Sequence, residues 1–264
     1  MKVITLLNEK GGVGKTTLST HIAAGLALRG RRVVLVDADP QGNATTAVGL
    51  DKQPMFYDLC VRNAAWKTVL RPVHPQVYSP PNFQTRGSLY VVTSNAETRN
   101  IANSIRSNAV IRARFQELAS MVDYIVVDTS PTPSLLHEAI TLASDYIIIP
   151  TDCEAFSALE GLPDSIAHTE VARQAAAQVG LKVAHLLAII PNKFRPRTVG
   201  HNEVLKHLRQ QYGALVWEPL QQAIVFSDAQ LVGQFLYGAA VDSVATRQMI
   251  DTVDRIEREV NAHG

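Results

Sequence analysis

Residues 1–30 read MKVITLLNEKGGVGKTTLSTHIAAGLALRG, from Met1 to Gly30. A short apolar run, Val3–Asn8, passes into a glycine-rich loop, Lys10–Thr17. Beyond it Leu18, Ile22 and Leu26 recur every fourth residue. That period marks one face of a helix, so the stretch predicts strand, loop and helix, with the helix over Lys15–Arg29 and Gly30 as its stop. Gly11, Gly12 and Gly14, with Val13 between them, let the backbone curl so that successive N–H groups point inward. The helix beginning at Lys15 adds the positive end of its dipole. Such a cradle suits phosphate oxygens. Lys15 can bridge the terminal phosphates of a nucleotide, the Thr16 hydroxyl can bind Mg²⁺, and Thr17 continues the loop. The letters satisfy G-x-x-x-x-G-K-[ST] except that Glu9 holds the first glycine position. Glycines alone fit a ligand-free turn equally well. Two lysines, two threonines and the strand-loop-helix context weigh for a nucleotide.

Outward from this stretch, further apolar runs lie at Arg32–Asp37, Leu89–Thr93, Tyr124–Asp128, Tyr146–Pro150 and Leu186–Asn192, separated by helical patterns. Most are apolar throughout rather than alternating, as parallel strands covered on both faces are. The expected fold class is α/β: a doubly wound, mostly parallel sheet flanked by helices, forming one domain over residues 1–264. In such sheets ligands bind beyond the carboxyl ends of the strands, where every motif with chemistry in this chain falls. Asp51–Ser88 holds Pro54, Pro72, Pro75, Pro80 and Pro81 and has poor periodicity. It reads as an irregular excursion with one short helix near Tyr57–Asn63. In the last segment Val244, Ile250, Val253, Ile256 and Val260 fall near one helical face and predict a helix packed on the sheet. Arg29, Arg31 and Arg32 stand where they would complement the first helix's dipole.

The composition is ordinary for a globular protein: 46% hydrophobic, 19% charged and a net charge of +1 over 264 residues. A core can form without staples. Cys60 and Cys153 are the two cysteines, far apart and without histidines at ligand spacing, which argues against zinc and disulfides. The apolar start is too short for a signal peptide, and no stretch approaches the ~20 apolar residues that span a bilayer. A cytoplasmic protein without stable membrane association is the expectation.

Two apolar strands end in carboxylates. Val33-Val34-Leu35-Val36-Asp37-Ala38-Asp39-Pro40-Gln41-Gly42-Asn43 places two acids one residue apart, which would face opposite ways unless the chain turns, as Pro40 and Gly42 indicate. Tyr124-Ile125-Val126-Val127-Asp128-Thr129-Ser130-Pro131 ends in an acid that can hold a metal-bound water. Asn192, ending Ile190-Pro191-Asn192, can offer a base edge both donor and acceptor; a turn residue before Phe194-Arg195-Pro196 fits the same letters.

Lys10-Gly11-Gly12-Val13-Gly14-Lys15-Thr16-Thr17 and Asp37–Asn43 together resemble the deviant Walker A and D-x-D-P-Q-G-N motifs of the ParA/MinD family of P-loop, SIMIBI-like ATPases. The likeness extends from Met1 to about Val260, more loosely at Pro150–Gly161 and Ser227–Gly233. It implies ATP/ADP and Mg²⁺ as cofactors and slow, partner-stimulated hydrolysis. Lys10 would be the signature lysine that reaches the partner's ATP in a nucleotide-sandwich homodimer, acting as an arginine finger does. Asp39 would position the attacking water, and Thr16, Asp37 and Asp128 would serve the metal. Asn192 and Pro219 would flank adenine. The family commonly has two prolines after the threonine of the Asp128 motif, and Ser130 replaces one.

With no extra DNA-binding segment before the loop, the chain resembles the short ParA class. This implies an ATP-gated dimer on non-specific DNA, associated with the nucleoid, that moves plasmid, chromosome or other cargo and is stimulated by a ParB-like or cargo adaptor. Lys193, Arg195, Arg197, Lys206 and Arg209 form the basic segment for such contacts, which also reads as a solvated basic face. Gln221-Gln222-Ala223 stands where many relatives have Pro-Arg-Asn. A MinD-like membrane switch predicts a basic amphipathic tail, which the acidic last helix and Asn261–Gly264 do not supply. A nitrogenase-reductase-like carrier needs cluster cysteines. A metabolic P-loop enzyme stays open, without a separate substrate constellation.

Overall fold

The computed structural model describes residues 1–154, 157–178 and 180–262, and at 157–160 the backbone alone. Its strands are β1 (Lys2–Leu6), β2 (Arg32–Ala38), β3 (Leu70–Pro72), β4 (Ser88–Val92), β5 (Tyr124–Thr129), β6 (Tyr146–Asp152) and β7 (His185–Asn192). They form one seven-stranded sheet in the order β3-β4-β2-β5-β1-β6-β7. Every pairing is parallel except β3 with β4. β1 lies between β5 and β6, and the chain winds first to one side of it and then to the other. The carboxyl ends on either side of β1 therefore open a crevice.

The apolar runs are continuous because both faces are covered. Val33 and Leu35 pack with Leu18, Ile22 and Leu26 of the Lys15–Leu28 helix. Val34 and Val36, one residue out of phase, pack with Ile111, Phe115 and Ile140 on the opposite face. Around β7, Ile147, Ile149 and Ile189 pack with Leu205 and Leu208 of the Val199–Tyr212 helix. Burial of a large aliphatic side chain contributes about 2 kcal/mol, so these contacts, rather than helix propensity, hold the layers together. The first helix stops at Leu28, and Gly30 at φ 83 turns the chain into β2.

The structure departs from the sequence-based expectations in three places. The Asp51–Ser88 excursion is not irregular throughout: it holds helices Met55–Cys60 and Trp66–Val69, a 3₁₀ turn at Pro75–Val77, and β3 as an antiparallel edge strand. Pro72 ends β3, where a residue without an N–H is tolerated. In the Val244–Ala262 helix, Ala245, Met249, Val253, Ile256 and Val260 are buried, while Val244 and Ile250 are exposed. Small and sulfur-bearing residues, not every β-branched one, mark the buried stripe. The Arg29–Arg32 cluster does more than face a helix end. Arg29 donates to Gly25 O and pairs with Asp254, Arg31 pairs with Glu257, and Arg32 with Asp123. These pairs tie the start of β2 to the last helix and to β5.

Candidate active site

The crevice beside β1 is built from the ends of three adjacent strands. Register sets Leu6, Asp128 and Asp37 side by side across β1, β5 and β2. The glycine loop leaves β1 directly above them. Gly14, which caps the first helix at φ 95, could carry no side chain: a Cβ there would lie 2.1 Å from Asn192 Nδ2. Around Gly11 and Gly12 there is nothing within 4 Å of such an atom, so that side of the loop is open.

Lys15 is buried, and its Nζ donates to Lys10 O at 3.0 Å. Burial lowers its pKa, against the opposing pull of Asp128 and Asp39. Thr16 Oγ1 donates to Asp128 Oδ2 at 2.7 Å. Asp37 Oδ2 accepts from Thr45 N and Thr45 Oγ1, and Asp37 Oδ1 from Asp39 N. Asp37 lies within β2, and the chain turns only after Asp39, whose O accepts from Gly42 N. Asp39 Oδ1 accepts from Gln41 N.

The acids are unequal. Burial pushes Asp37 up to about 6, opposed by its bonds to Thr45. Burial, with Asp37 beside it, pushes Asp128 up to about 8. Asp128 Oδ1 is buried without a hydrogen-bond partner. Such an oxygen costs about 1–3 kcal/mol unless a donor or cation reaches it. A hydrated divalent cation beside Thr16 would satisfy it and draw both acids back to the ionised form. Among the described residues no three His, Cys, Asp or Glu side chains cluster to hold a metal by themselves. The donor set therefore suits Mg²⁺, which keeps waters and phosphate oxygens as ligands. The open cradle and the orphaned oxygen both fit magnesium and a nucleotide phosphate tail.

Lys10 lies at the crevice mouth, its Nζ 2.9 Å from Asp152 Oδ2 at the end of β6. Asn192 Nδ2 donates to Val13 O at 2.9 Å, so this side chain is bonded to the loop. Pro219 is brought to the same edge through Leu220 N, which donates to Pro191 O at 2.8 Å. The basic residues lie apart from the crevice, beyond β7. Arg195 bonds Gln222 and Glu154, and Arg209 bonds Glu218. Arg197 and Lys206 are exposed and Lys193 is half-buried at φ 53.

Sequence reasoning missed several of these groups. Asp152 ends an apolar strand, a signal that was available at Asp37 and Asp128 too. Asn8, whose Oδ1 accepts from Lys10 N and whose Nδ2 donates to Pro150 O, fixes the loop's exit from β1. Thr45, which bonds Asp37 eight residues before it, and Ser94, whose Oγ donates to Asp39 O from fifty-five residues away, were also missed. Cys60 and Cys153 are buried free thiols. The expected Pro150–Gly161 likeness falls partly outside the described residues.

A family model described as an AAA domain matches residues 1–182. The chain belongs to the ParA/MinD family of P-loop ATPases. The chromosome-partitioning ATPase Soj of Treponema pallidum is 31% identical over 222 residues, 83% of this chain and 82% of that protein. Among solved structures, a Cyanothece McdA–ATP complex superposes with a TM-score of 0.78 at 18% identity, covering 97% of this chain and 96% of that one. Cobyrinic acid a,c-diamide synthase of Mycobacterium smegmatis, with bound ADP and magnesium, gives 0.77 at 20% identity, covering 100% and 97%. A synthase and an ATP-bound McdA thus share this fold, so function rests on the site and the sequence relatives.

Proposed function

We propose that this chain is an ATP-driven, dimerising switch of the positioning kind. Its ATP cycle would segregate plasmid or chromosomal DNA, or place other cargo, over the nucleoid in the cytoplasm. One observation carries the reading: the glycine cradle, Lys15, Thr16 and the carboxylates of Asp37, Asp39 and Asp128 all meet at one end of β1, β2 and β5, with Asp128 Oδ1 buried and unpartnered. Gly11 to Thr17 would wrap the phosphates and Lys15 would leave Lys10 O for the terminal ones. Thr16 would ligate Mg²⁺, with Asp128 and Asp37 behind its waters. The metal would neutralise charge on the transferring phosphoryl group.

Asp39, tethered through its own backbone to Ser94, is the group to orient water. Lys10 would exchange Asp152 for the nucleotide of a second copy, bringing a cation to the developing charge. Asn192 and Pro219 would close around adenine once Asn192 releases Val13 O. Lys193, Arg195, Arg197, Lys206 and Arg209 would face non-specific DNA when two copies join. A ParB-like or cargo adaptor would stimulate hydrolysis and reset the cycle.

The test is phosphate release from Mg-ATP by wild type and Lys15→Ala, with and without DNA, alongside light scattering of Asp39→Ala with and without ATP. The reading expects slow release by wild type only, and a doubled mass for Asp39→Ala with ATP. Release no faster than Lys15→Ala under every condition sinks the ATPase; an unchanged mass sinks the switch. Pelleting with anionic liposomes, expected to leave the protein in solution, separates it from a membrane-bound relative.

A further inference from the structure

Between the turn after β2 and the loop after β5 lies a cavity of about 340 Å³, lined by Asp39, Pro40, Gln41, Arg99, Ser130 and Thr132 among others. Of the two charged residues that line it, Asp39 is buried and Arg99 is exposed. Arg99 closes the 3₁₀ turn Ala96–Asn100, which is tied to the centre because Ser94 Oγ bonds both Asp39 O and Thr98 Oγ1. Among the described residues the Arg99 guanidinium makes no hydrogen bond or ion pair, and it forms none with Asp39 despite the shared cavity. A buried carboxylate and an unengaged guanidinium thus share one cavity. At about 30 Å³ per water it has room for a tetrahedral oxyanion with part of its hydration shell.

We infer that the exposed Arg99 forms a second anion site in this cavity, which receives the inorganic phosphate released from the nucleotide crevice. This rests on the ATPase reading above. Hydrolysis breaks the bond between the terminal phosphorus and its bridging oxygen. Water supplies the new P–O bond, ADP keeps the bridging oxygen, and one proton passes to solvent as HPO₄²⁻ forms. That anion meets the buried Asp39 as a like charge, while the exposed Arg99 attracts it toward solvent. The guanidinium's planar fork donates to two phosphate oxygens at once, and Ser130 and Thr132 also line the cavity. The two charged groups of the lining are of opposite sign and unpaired with each other.

The experiment titrates inorganic phosphate into the protein loaded with ADP and magnesium, by calorimetry, for wild type, Arg99→Ala and Arg99→Lys. Wild type binds phosphate; Arg99→Ala binds it about tenfold more weakly, the loss of one charge-assisted contact. Arg99→Lys recovers part of that loss, and ADP affinity is the same in all three proteins. Equal phosphate affinity in wild type and Arg99→Ala, or no phosphate binding by wild type, overturns the site. So does a matching loss of ADP affinity in Arg99→Ala, which would make Arg99 a nucleotide ligand. The titration needs no turnover. Failure of wild type to release phosphate from ATP would therefore count against the ATPase reading alone.

Discussion

Asp37 and Arg209 stand at opposite extremes of this molecule. Asp37 is fully buried, and each of its oxygens accepts from a named donor on its own turn or on Thr45. Arg209, on the helix beyond β7, is 44% exposed, and its partner Glu218 is 85% exposed. At the centre, geometry is over-determined and every displacement breaks a buried bond. On the flank, solvent competes for every charge, and such pairs contribute about 0–1 kcal/mol. Chemistry that requires fixed distances belongs to the first region. Contacts to a polyanion, which tolerate motion, suit the second.

Predictions that probe this contrast fall in order of size. Removing the carboxylate of Asp39 (Asp39→Ala) is expected to slow hydrolysis about a thousandfold while leaving nucleotide binding, as loss of a group that acts on water does. Single-turnover kinetics with a binding titration checks the split; equal losses in both would mean the centre is less specialised than its geometry.

Next comes a pH effect inside the first helix. His21 donates from Nδ1 to Thr17 O, accepts Leu236 N at Nε2, and packs on Phe226, Phe235 and Tyr237. Burial lowers its pKa to about 4. The folded state then binds fewer protons than the unfolded one between about pH 6.5 and about 4, so stability is complete above that window and falls as the pH drops through it. The loss approaches about 3 kcal/mol. Asp37, raised to about 6, acts in the opposite sense, so the check is a difference. Denaturant titrations of wild type and His21→Gln at several pH values should show wild type losing more on acidification; parallel curves refute it.

Lys15→Ala is expected to weaken nucleotide binding about a hundredfold, read by fluorescence titration with a labelled nucleotide. The smallest effects belong to the flank. Arg209→Ala should change folding stability by less than about 0.5 kcal/mol. The triple variant Arg195→Ala, Arg197→Ala, Arg209→Ala should lower the slope of log DNA affinity against log salt by about 3. A gel-shift series in salt measures it, and an unchanged slope would remove these arginines from any DNA surface.

The centre was legible because its requirements are local in sequence. Gly14 must be glycine, Lys15 and Thr16 must open the helix, and Asp37 and Asp128 must end apolar strands. β3 was not legible, since three residues with a proline carry no period and pair only because β4 offers an open edge. The buried stripe of the last helix was only half visible: Ala245 and Met249 lie in it because they fit against the first helix and its neighbours, whereas Val244 and Ile250 face outward.

The order of residues by itself determined a parallel α/β sheet with a phosphate loop leaving its first strand. Strand runs, helical period and glycine spacing are written within a few residues of one another. Only the folded chain decided that Lys10 rests on Asp152, that Thr45 and Ser94 hold the acidic turn, that one oxygen of Asp128 is left without a donor, and that Arg99 shares a cavity with Asp39. Most of those facts depend on residues from separate strands or their loops, and register across a sheet is set by the packing of its two faces, which no short stretch of sequence contains.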